Sequence, residues 1–115
     1  MSDIYSGVLG LDPVLRHPTR FAIVTLLLVA GPQTEGDVAR KLNLAWGPLS
    51  THVSRLVKAG YVERRRYPTL KGPRTFLILT EKGEEAYRRY VESLENLLGE
   101  IRKKVAGTGG GGRKE

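Results

Sequence analysis

One stretch decides the fold of this chain, residues 49–66, which have the sequence LSTHVSRLVKAGYVERRR. At about 100° of turn per residue, a helix over its first part brings four apolar residues to one side: Leu49, Val53, Leu56 and Val57. Gly60 then occupies the position at which a left-handed backbone conformation commonly ends a helix, and the residues after it favour a strand. The stretch therefore predicts an amphipathic helix followed directly by a β-strand.

Two helices are predicted before this stretch. The first runs from Pro18 through an apolar segment to Ala30, and the Gly-Pro pair that follows ends it. The second begins at Thr34, which together with Asp37 has the pattern of a capping box. Only a brief connection separates this helix from a third helix over about 47–59, so the two are predicted to form a helix-turn-helix.

Strands and one long helix are predicted after Gly60. Residues 61–67 and 75–79 favour strands on either side of a loop, which indicates a hairpin. Thr80 can cap a long final helix whose apolar residues have the spacing of a heptad seam. The seam consists of Tyr87, Val91, Leu94, Leu98, Ile101 and Val105.

The sequence divides into four parts. Residues 1–11 show no helical or strand periodicity and are predicted to be a flexible N-terminal arm. Residues 12–80 form a winged helix-turn-helix domain, and residues 81–106 form a C-terminal dimerisation helix. Residues 107–115 contain five glycines and are predicted to be a disordered tail. The fold class is mostly α with a small β-hairpin (α+β).

Positive charge is concentrated in the middle of the chain. Residues 38–76 contain nine Lys and Arg against the single acid Glu63, a net charge of +8, whereas the whole chain has +7. A basic helix followed by a basic hairpin is expected of a module that binds a polyanion, and duplex DNA fits best.

The outward face of the third helix is small, polar and basic. Short side chains allow a helix to approach the major groove closely, and Arg can pair with a guanine edge. A solvated surface helix would have a similar face, so composition alone leaves both interpretations open. The outward residues are Gly47, Thr51, Ser54, Arg55 and Lys58, with Ser50 and His52 at the margins.

The hairpin has cations on both faces. Alternation along a strand places Arg64 and Arg66 on one face and Arg65 on the other, while Lys71 and Arg74 surround the loop. Such a wing can hold phosphates and reach the adjacent minor groove. Protection of an edge strand by charge is the alternative interpretation.

Four phrases in this order resemble a known family. They are LDPVLRHPTR at 11–20, LSTHV at 49–53, LVKAGYV at 56–62 and LTEKG at 79–83. Over about residues 9–95 the chain resembles the small archaeal and bacterial winged-helix regulators related to MarR and ArsR.

The resemblance implies a homodimeric, sequence-specific transcription factor whose third helix enters the major groove of double-stranded DNA. It also implies contacts from Ser50, Thr51, Ser54 and Arg55 in the recognition helix and from Arg64, Arg65, Arg66, Lys71 and Arg74 in the wing. Thr34, at a helix N-terminus, could offer backbone N–H groups to a phosphate.

The entry to the third helix departs from the family pattern. Residues 45–48 read Ala-Trp-Gly-Pro where a capping Ser, Thr or Asp is usual. Trp46 must either pack beneath the helix or project toward DNA. Packing is favoured, because a large aromatic side chain usually contributes more by burial than by exposure.

The heptad seam predicts a partner. It is longer than a domain of this size needs, so its second half is predicted to pack against its copy in another chain. The alternative is packing onto the first helix of the same chain. A twofold dimer would place two recognition helices roughly 34 Å apart and would bind a palindromic site.

Other classes of function find little support in the sequence. The chain has no cysteine, and neither His17 nor His52 stands beside a paired acidic motif, so no enzyme, metal site or cofactor is predicted. His52 is interpreted as a helix-margin residue that reaches a phosphate or the wing. The longest apolar run, 21–30, is too short to span a bilayer, and a cytoplasmic, nucleoid-associated protein is expected.

Two alternatives to a specific regulator stay open. A general nucleic-acid or chromatin binder would use the same basic residues without reading sequence, and a winged-helix protein-assembly module would not need them. No cluster of residues identifies a site for a small-molecule effector.

Overall fold

The computed structural model describes residues 3–108. Within them the elements are α1 (Ile4–Leu9), α2 (Pro18–Ala30), β1 (Gln33–Thr34), α3 (Glu35–Leu42), α4 (Trp46–Lys58), β2 (Val62–Tyr67), β3 (Arg74–Leu79) and α5 (Glu81–Thr108). The predicted fold class, mostly α with a small β-hairpin, is confirmed.

Local caps set the bounds of α2 and α3 as the sequence predicted. The Thr19 N–H donates to Nδ1 of His17 at 3.2 Å, and α2 ends at Gly31, whose φ is 83°. Both halves of the capping box form at α3, because Thr34 and Asp37 exchange hydrogen bonds of 3.0 and 3.1 Å. Each cap satisfies N–H groups that have no partner within the helix.

The turn between α3 and α4 is tight. Asn43 ends α3 in the left-handed conformation, with φ 55° and ψ 54°. Helix α4 then buries Leu49, Val53 and Leu56 completely, the side that periodicity assigned to the core. Its exposed side therefore points away from the domain.

Trp46 does not pack beneath α4, so the favoured prediction was wrong. It is the first residue of α4, follows an N-cap without a side-chain hydrogen bond, and is 59 % exposed. The core contact of α4 begins one turn later, at Leu49. The indole therefore lies past the edge of the core, where burial is not available to it.

The sheet has one strand more than the hairpin that the sequence predicted. Its order is β1-β3-β2, with both pairs antiparallel, and Gln33 and Thr34 of β1 pair with Leu77 and Phe76. Two residues are too few for an alternating pattern, so β1 leaves no periodicity in the sequence. β1 joins the wing to the start of α3.

The turn before α2 is tied to the base of the wing. Asp12 accepts N–H bonds from Val14 and Leu15, at 2.8 and 3.1 Å, and the Tyr61 hydroxyl donates to its Oδ2 at 2.6 Å. Burial, together with this hydrogen bond to Asp12, raises the pKa of Tyr61 to about 12. The phenol therefore stays protonated and remains a donor at neutral pH.

The N-terminal segment contains a helix that the sequence did not predict. Asp3 caps α1 by accepting the Tyr5 N–H at 3.1 Å, and Gly7 lies against Leu97 of α5. At the other end, α5 continues through Thr108 instead of ending at 106. The remainder of the predicted tail, 109–115, lies outside the described residues.

Candidate nucleic-acid interface

The exposed side of α4 matches the outward face that periodicity predicted. All six of its candidate contact residues are exposed: Gly47, Ser50, Thr51, Ser54, Arg55 and Lys58. The Thr51 hydroxyl donates to the Gly47 carbonyl at 3.3 Å, which keeps this short side chain close to the helix. Because several of its exposed side chains are short, this helix can approach the bases of a major groove closely.

The wing cations differ in whether an acid already compensates them. Arg64 lies 3.4 Å from Glu35, and Arg65 lies 2.9 Å from Glu63. In residues 3–108, no acidic side chain forms an ion pair with Arg66, Lys71, Arg74, Arg55 or Lys58. The uncompensated charge is therefore on α4 and on the outer part of the wing.

The two faces of the wing are those that the sequence predicted. Arg64 is paired with Leu77 and Arg66 with Thr75, while Arg65 is paired with Phe76 on the opposite face. Since Leu77 is completely buried, the first two arginines extend from the core side of the sheet. That is the side on which the helices lie.

The tip of the wing is ordered by its own backbone. Thr69 and Gly72 exchange backbone hydrogen bonds of 3.1 and 3.0 Å, and Gly72 has the positive φ of 101° that this turn requires. Leu70, between them, is fully exposed. This apolar side chain is not among the contact residues predicted from the sequence, although its place between basic residues of the loop could have indicated it.

Thr34 is poorly placed for the phosphate contact that the resemblance suggested. Its N–H and its hydroxyl are both used in the capping box with Asp37. Glu35 and Asp37 also stand in the first turn of α3 and would repel a phosphate there. We therefore leave Thr34 out of the interface.

A cluster of basic side chains lies where α2 meets α4. The imidazole rings of His17 and His52 have centroids 4.4 Å apart, and Nη1 of Arg20 lies 3.2 Å from Nδ1 of His52. Arg20 is only 8 % exposed. It is the single charged residue of α2, which is the signal in the sequence that could have drawn attention to it.

The pKa of His52 is lowered by burial first and then by His17, Arg20 and Arg55. A lowered pKa means that the folded protein holds this imidazole neutral more strongly than the unfolded chain does. The corresponding stability is present above the unfolded pKa of about 6.5 and is lost as the pH falls through the lowered value. His52 is therefore a neutral side chain at pH 7.

The two halves of the predicted dimer seam on α5 have different environments. Its start packs within the chain, since Tyr87 stacks on Phe21 with centroids 5.0 Å apart and its hydroxyl lies 2.6 Å from Thr25 Oγ1. Its far half is open, with Leu98 46 % and Val105 54 % exposed. The face that α5 buries within the chain is a different one, consisting of Gly83, Ala86, Tyr90 and Leu97.

Helix α1 adds apolar surface beside the open half of the seam. A groove between the two helices is lined by Ile4, Tyr5, Val8, Ile101, Lys104 and Val105. Tyr5 is 80 % exposed, and Leu9 is similarly exposed next to the groove. Among residues 3–108, little covers this surface.

Residues 3–108 contain no group of three or more His, Asp or Glu side chains placed to hold a metal ion. Over the same range, every helix is too short or too polar to cross a lipid bilayer.

A family model described as "Winged helix DNA-binding domain" matches residues 19–98. This span begins in α2 and includes the helix-turn-helix, the wing and more than half of α5.

Two solved structures share the fold. The transcriptional regulator homologue protein from Pyrococcus horikoshii OT3 has a TM-score of 0.76 and 23 % identity, over 87 % of this chain and 98 % of that one. A MarR family protein from Bacillus stearothermophilus has a TM-score of 0.58 and 25 % identity, over 88 % of this chain and 67 % of that one.

One relative is similar to part of the chain in sequence. It is the "Uncharacterized HTH-type transcriptional regulator YcgE" of Bacillus subtilis (strain 168), which is 41 % identical over 51 residues. The match covers 44 % of this chain and 33 % of that protein. The chain thus matches about a third of this relative's length.

Proposed function

The chain belongs to the winged-helix DNA-binding domain family, and we propose that it is a sequence-specific transcriptional regulator that binds duplex DNA as a homodimer. Helix α4 enters the major groove, and the wing contacts phosphates and the adjacent minor groove. The observation that carries this proposal is the coincidence of two features. The low, hydroxyl-rich face of α4 lies beside cations that no acid of the described chain compensates.

Recognition of base edges and binding of phosphates are assigned to different residues. Thr51, Ser54 and Arg55 face outward from α4, where short side chains and a guanidinium can meet base edges. Arg66, Lys71 and Arg74 contact phosphates, because they are exposed cations on a hairpin without acidic partners. Ser50, Lys58 and Gly47 complete the helix surface. The fully exposed Leu70 is suited to the floor of the minor groove.

The homodimer uses the open half of the α5 seam. Leu98, Ile101 and Val105, together with Tyr5 and Val8 of α1, form an apolar surface at the end of the molecule away from the wing. Two such surfaces can pack about a twofold axis, which presents two α4 helices to a palindromic site. The protein is thereby proposed to act on chromosomal DNA in the cytoplasm.

A salt titration against two duplexes tests the function. If about six to ten phosphates are neutralised per dimer, the affinity for any duplex falls on the order of a thousandfold or more between roughly 50 and 200 mM salt. A duplex selected by the protein from a random pool should keep an advantage over a scrambled duplex at every salt concentration. Equal affinity for both duplexes would indicate the general nucleic-acid binder instead. Binding that is absent or insensitive to salt would refute DNA binding itself.

Single substitutions distinguish base recognition from phosphate binding. Replacing Arg55 with Ala should reduce the preference for the selected duplex by about 1 to 3 kcal/mol, because a bidentate contact to guanine is lost. Replacing Arg66 with Ala should weaken selected and scrambled duplexes alike and reduce the salt slope by about 1 for each protomer of the dimer.

Arg65 is the matched control for Arg66, since it is the next residue on the same strand but already forms an ion pair with Glu63. The Arg65→Ala variant should lose less affinity than the Arg66→Ala variant. Equal losses for the two would contradict the assignment of Arg66, and not Arg65, as a main phosphate contact.

A further inference from the structure

Arg20 is a buried cation without an acidic partner in the described chain. Its guanidinium donates to the carbonyl oxygens of Val14 and Pro13, at 2.8 and 3.4 Å, and its Nη1 lies 3.2 Å from Nδ1 of His52. Asp12 acts on it only as a nearby charge. Burying a charge is costly unless hydrogen bonds and an anion compensate it. The hydrogen bonds are present, but within residues 3–108 no carboxylate forms an ion pair with Arg20.

The Arg20 contact fixes the tautomer of His52. A guanidinium has donors and no acceptor, so Nδ1 of His52 must accept this hydrogen bond. A neutral imidazole that accepts at Nδ1 carries its proton on Nε2. His52 is therefore held as a donor at its outer nitrogen.

The neighbouring imidazole is fixed in the same way. Nδ1 of His17 accepts the N–H of Thr19 at 3.2 Å, which likewise puts the proton of a neutral His17 on Nε2. The two rings are in contact, with an interplanar angle of 52°. His17 therefore limits the rotation of the His52 ring.

The outer edge of His52 belongs to the proposed DNA surface. His52 and Arg55 are three residues apart on α4 and so are neighbours on its surface. Arg55 also acts electrostatically on both His52 and Arg20, which places its charge close to the pair. Positive charge is therefore concentrated beside the recognition face, where it would attract a phosphate.

On the basis of the proposed function, we propose that His52 donates a hydrogen bond from Nε2 to a backbone phosphate of bound DNA. Arg20 is the positioning residue that holds the imidazole in the tautomer able to do so. The ligand is a phosphodiester, so the contact adds affinity without reading sequence. Arg20 thus contributes to DNA binding although it is buried and touches no DNA itself.

The tautomer is tested first, on the wild-type protein. Nitrogen-15 NMR of the imidazoles should show His52 with a protonated Nε2 and a bare Nδ1 at pH 7, both free and bound to DNA. A protonated Nδ1 on neutral His52 would overturn the proposal, because Arg20 could not then donate to it.

Two replacements of His52 separate its inner and outer nitrogens. The Asn side chain of His52→Asn keeps an acceptor near the position of Nδ1 for Arg20 and removes the outer donor. The Gln side chain of His52→Gln can keep a donor near the position of Nε2. The Asn variant should bind every duplex about tenfold more weakly, and the Gln variant should recover part of the loss. Wild-type affinity in the Asn variant would overturn the proposal.

A replacement of Arg20 tests positioning through its pH dependence. In Arg20→Met the charges facing His52 are those of Arg55 and, when protonated, His17, with Asp12 in the preceding turn, so the pKa of His52 should rise toward its ordinary value. DNA affinity should then fall at pH 8, where neither the tautomer nor the orientation of the ring is fixed by Arg20, and partly recover at pH 6, where both nitrogens carry protons. His52→Asn should show its loss at both pH values.

A double variant completes the test. Arg20→Met and His52→Asn should be strongly non-additive at pH 8, because both remove the same contact. Fully additive losses would assign Arg20 a structural role only and would overturn the positioning claim. If the wild-type protein binds DNA with the expected salt dependence but replacing His52 does not change the affinity, this inference is refuted and the proposed function stands. Absence of DNA binding by the wild-type protein would remove both.

Discussion

Replacing Gly83 with Ala should lower the free energy of unfolding by about 3 kcal/mol or more. A Cβ at this position would overlap the Tyr61 carbonyl oxygen and come within 2.8 Å of Leu79 Cδ1. The backbone there cannot give way easily, because that carbonyl accepts the Thr80 N–H at 3.0 Å. Thermal or denaturant unfolding would measure the change.

Gly99 provides the matched control, because it lies in the same helix and a Cβ there would meet nothing within 4 Å. Its replacement by Ala should stabilise the protein by up to about 1 kcal/mol, since glycine is a poor helix former. Similar effects of the two substitutions would contradict the close approach of α5 to the start of β2. That approach fixes the position of the proposed dimer surface relative to the wing.

Replacing Leu98 with Glu should convert the proposed dimer to a monomer at micromolar concentration. The side chain is 46 % exposed on the open half of the seam, and a dimer would bury an unpaired carboxylate there. Linked half-sites gain roughly a hundredfold or more from avidity, so affinity for a palindromic duplex should fall by about that factor. Sedimentation equilibrium and a DNA titration would measure the two effects.

Asn96→Glu is the control for this substitution, because Asn96 is exposed on the opposite side of α5. It adds the same charge to the same part of α5 and should leave both the dimer and the DNA affinity nearly unchanged. A wild-type protein that sediments as a monomer would disprove the dimer, whereas a Leu98→Glu variant that remains dimeric would show that the dimer does not use the α5 seam. A half-site duplex should bind both proteins alike, which shows that the monomer is folded.

The resemblance to MarR-related winged-helix regulators, which rested on four phrases, is confirmed by the family match over residues 19–98 and by the solved structures. The elements that were predicted well depend on neighbours in sequence. Thr34 and Asp37 are three residues apart, and α2 has a start and a stop that local chemistry specifies. The exposed face of α4 follows from periodicity in the same way.

The errors concern residues whose environment is set by distant parts of the chain. Trp46 is large and apolar, yet it lies exposed because the core contact of α4 begins only at Leu49. Helix α1 is stabilised by packing on α5, where Gly7 contacts Leu97. A helix of six residues is too short for a hydrophobic period that would predict this contact. Strand β1 depends entirely on pairing with β3.

The sequence by itself determined the helix-turn-helix, the wing and the seam, because caps, turns and hydrophobic periods act over a few residues. Only the tertiary structure decided which charges remain free. Glu35 reaches Arg64 across 29 residues of sequence, and Arg20 reaches His52 across 32. Electrostatic compensation depends on distance in space. The cations of residues 49–66 therefore look equivalent in the sequence, but in the folded chain, over residues 3–108, some of them lie beside an acid and others do not.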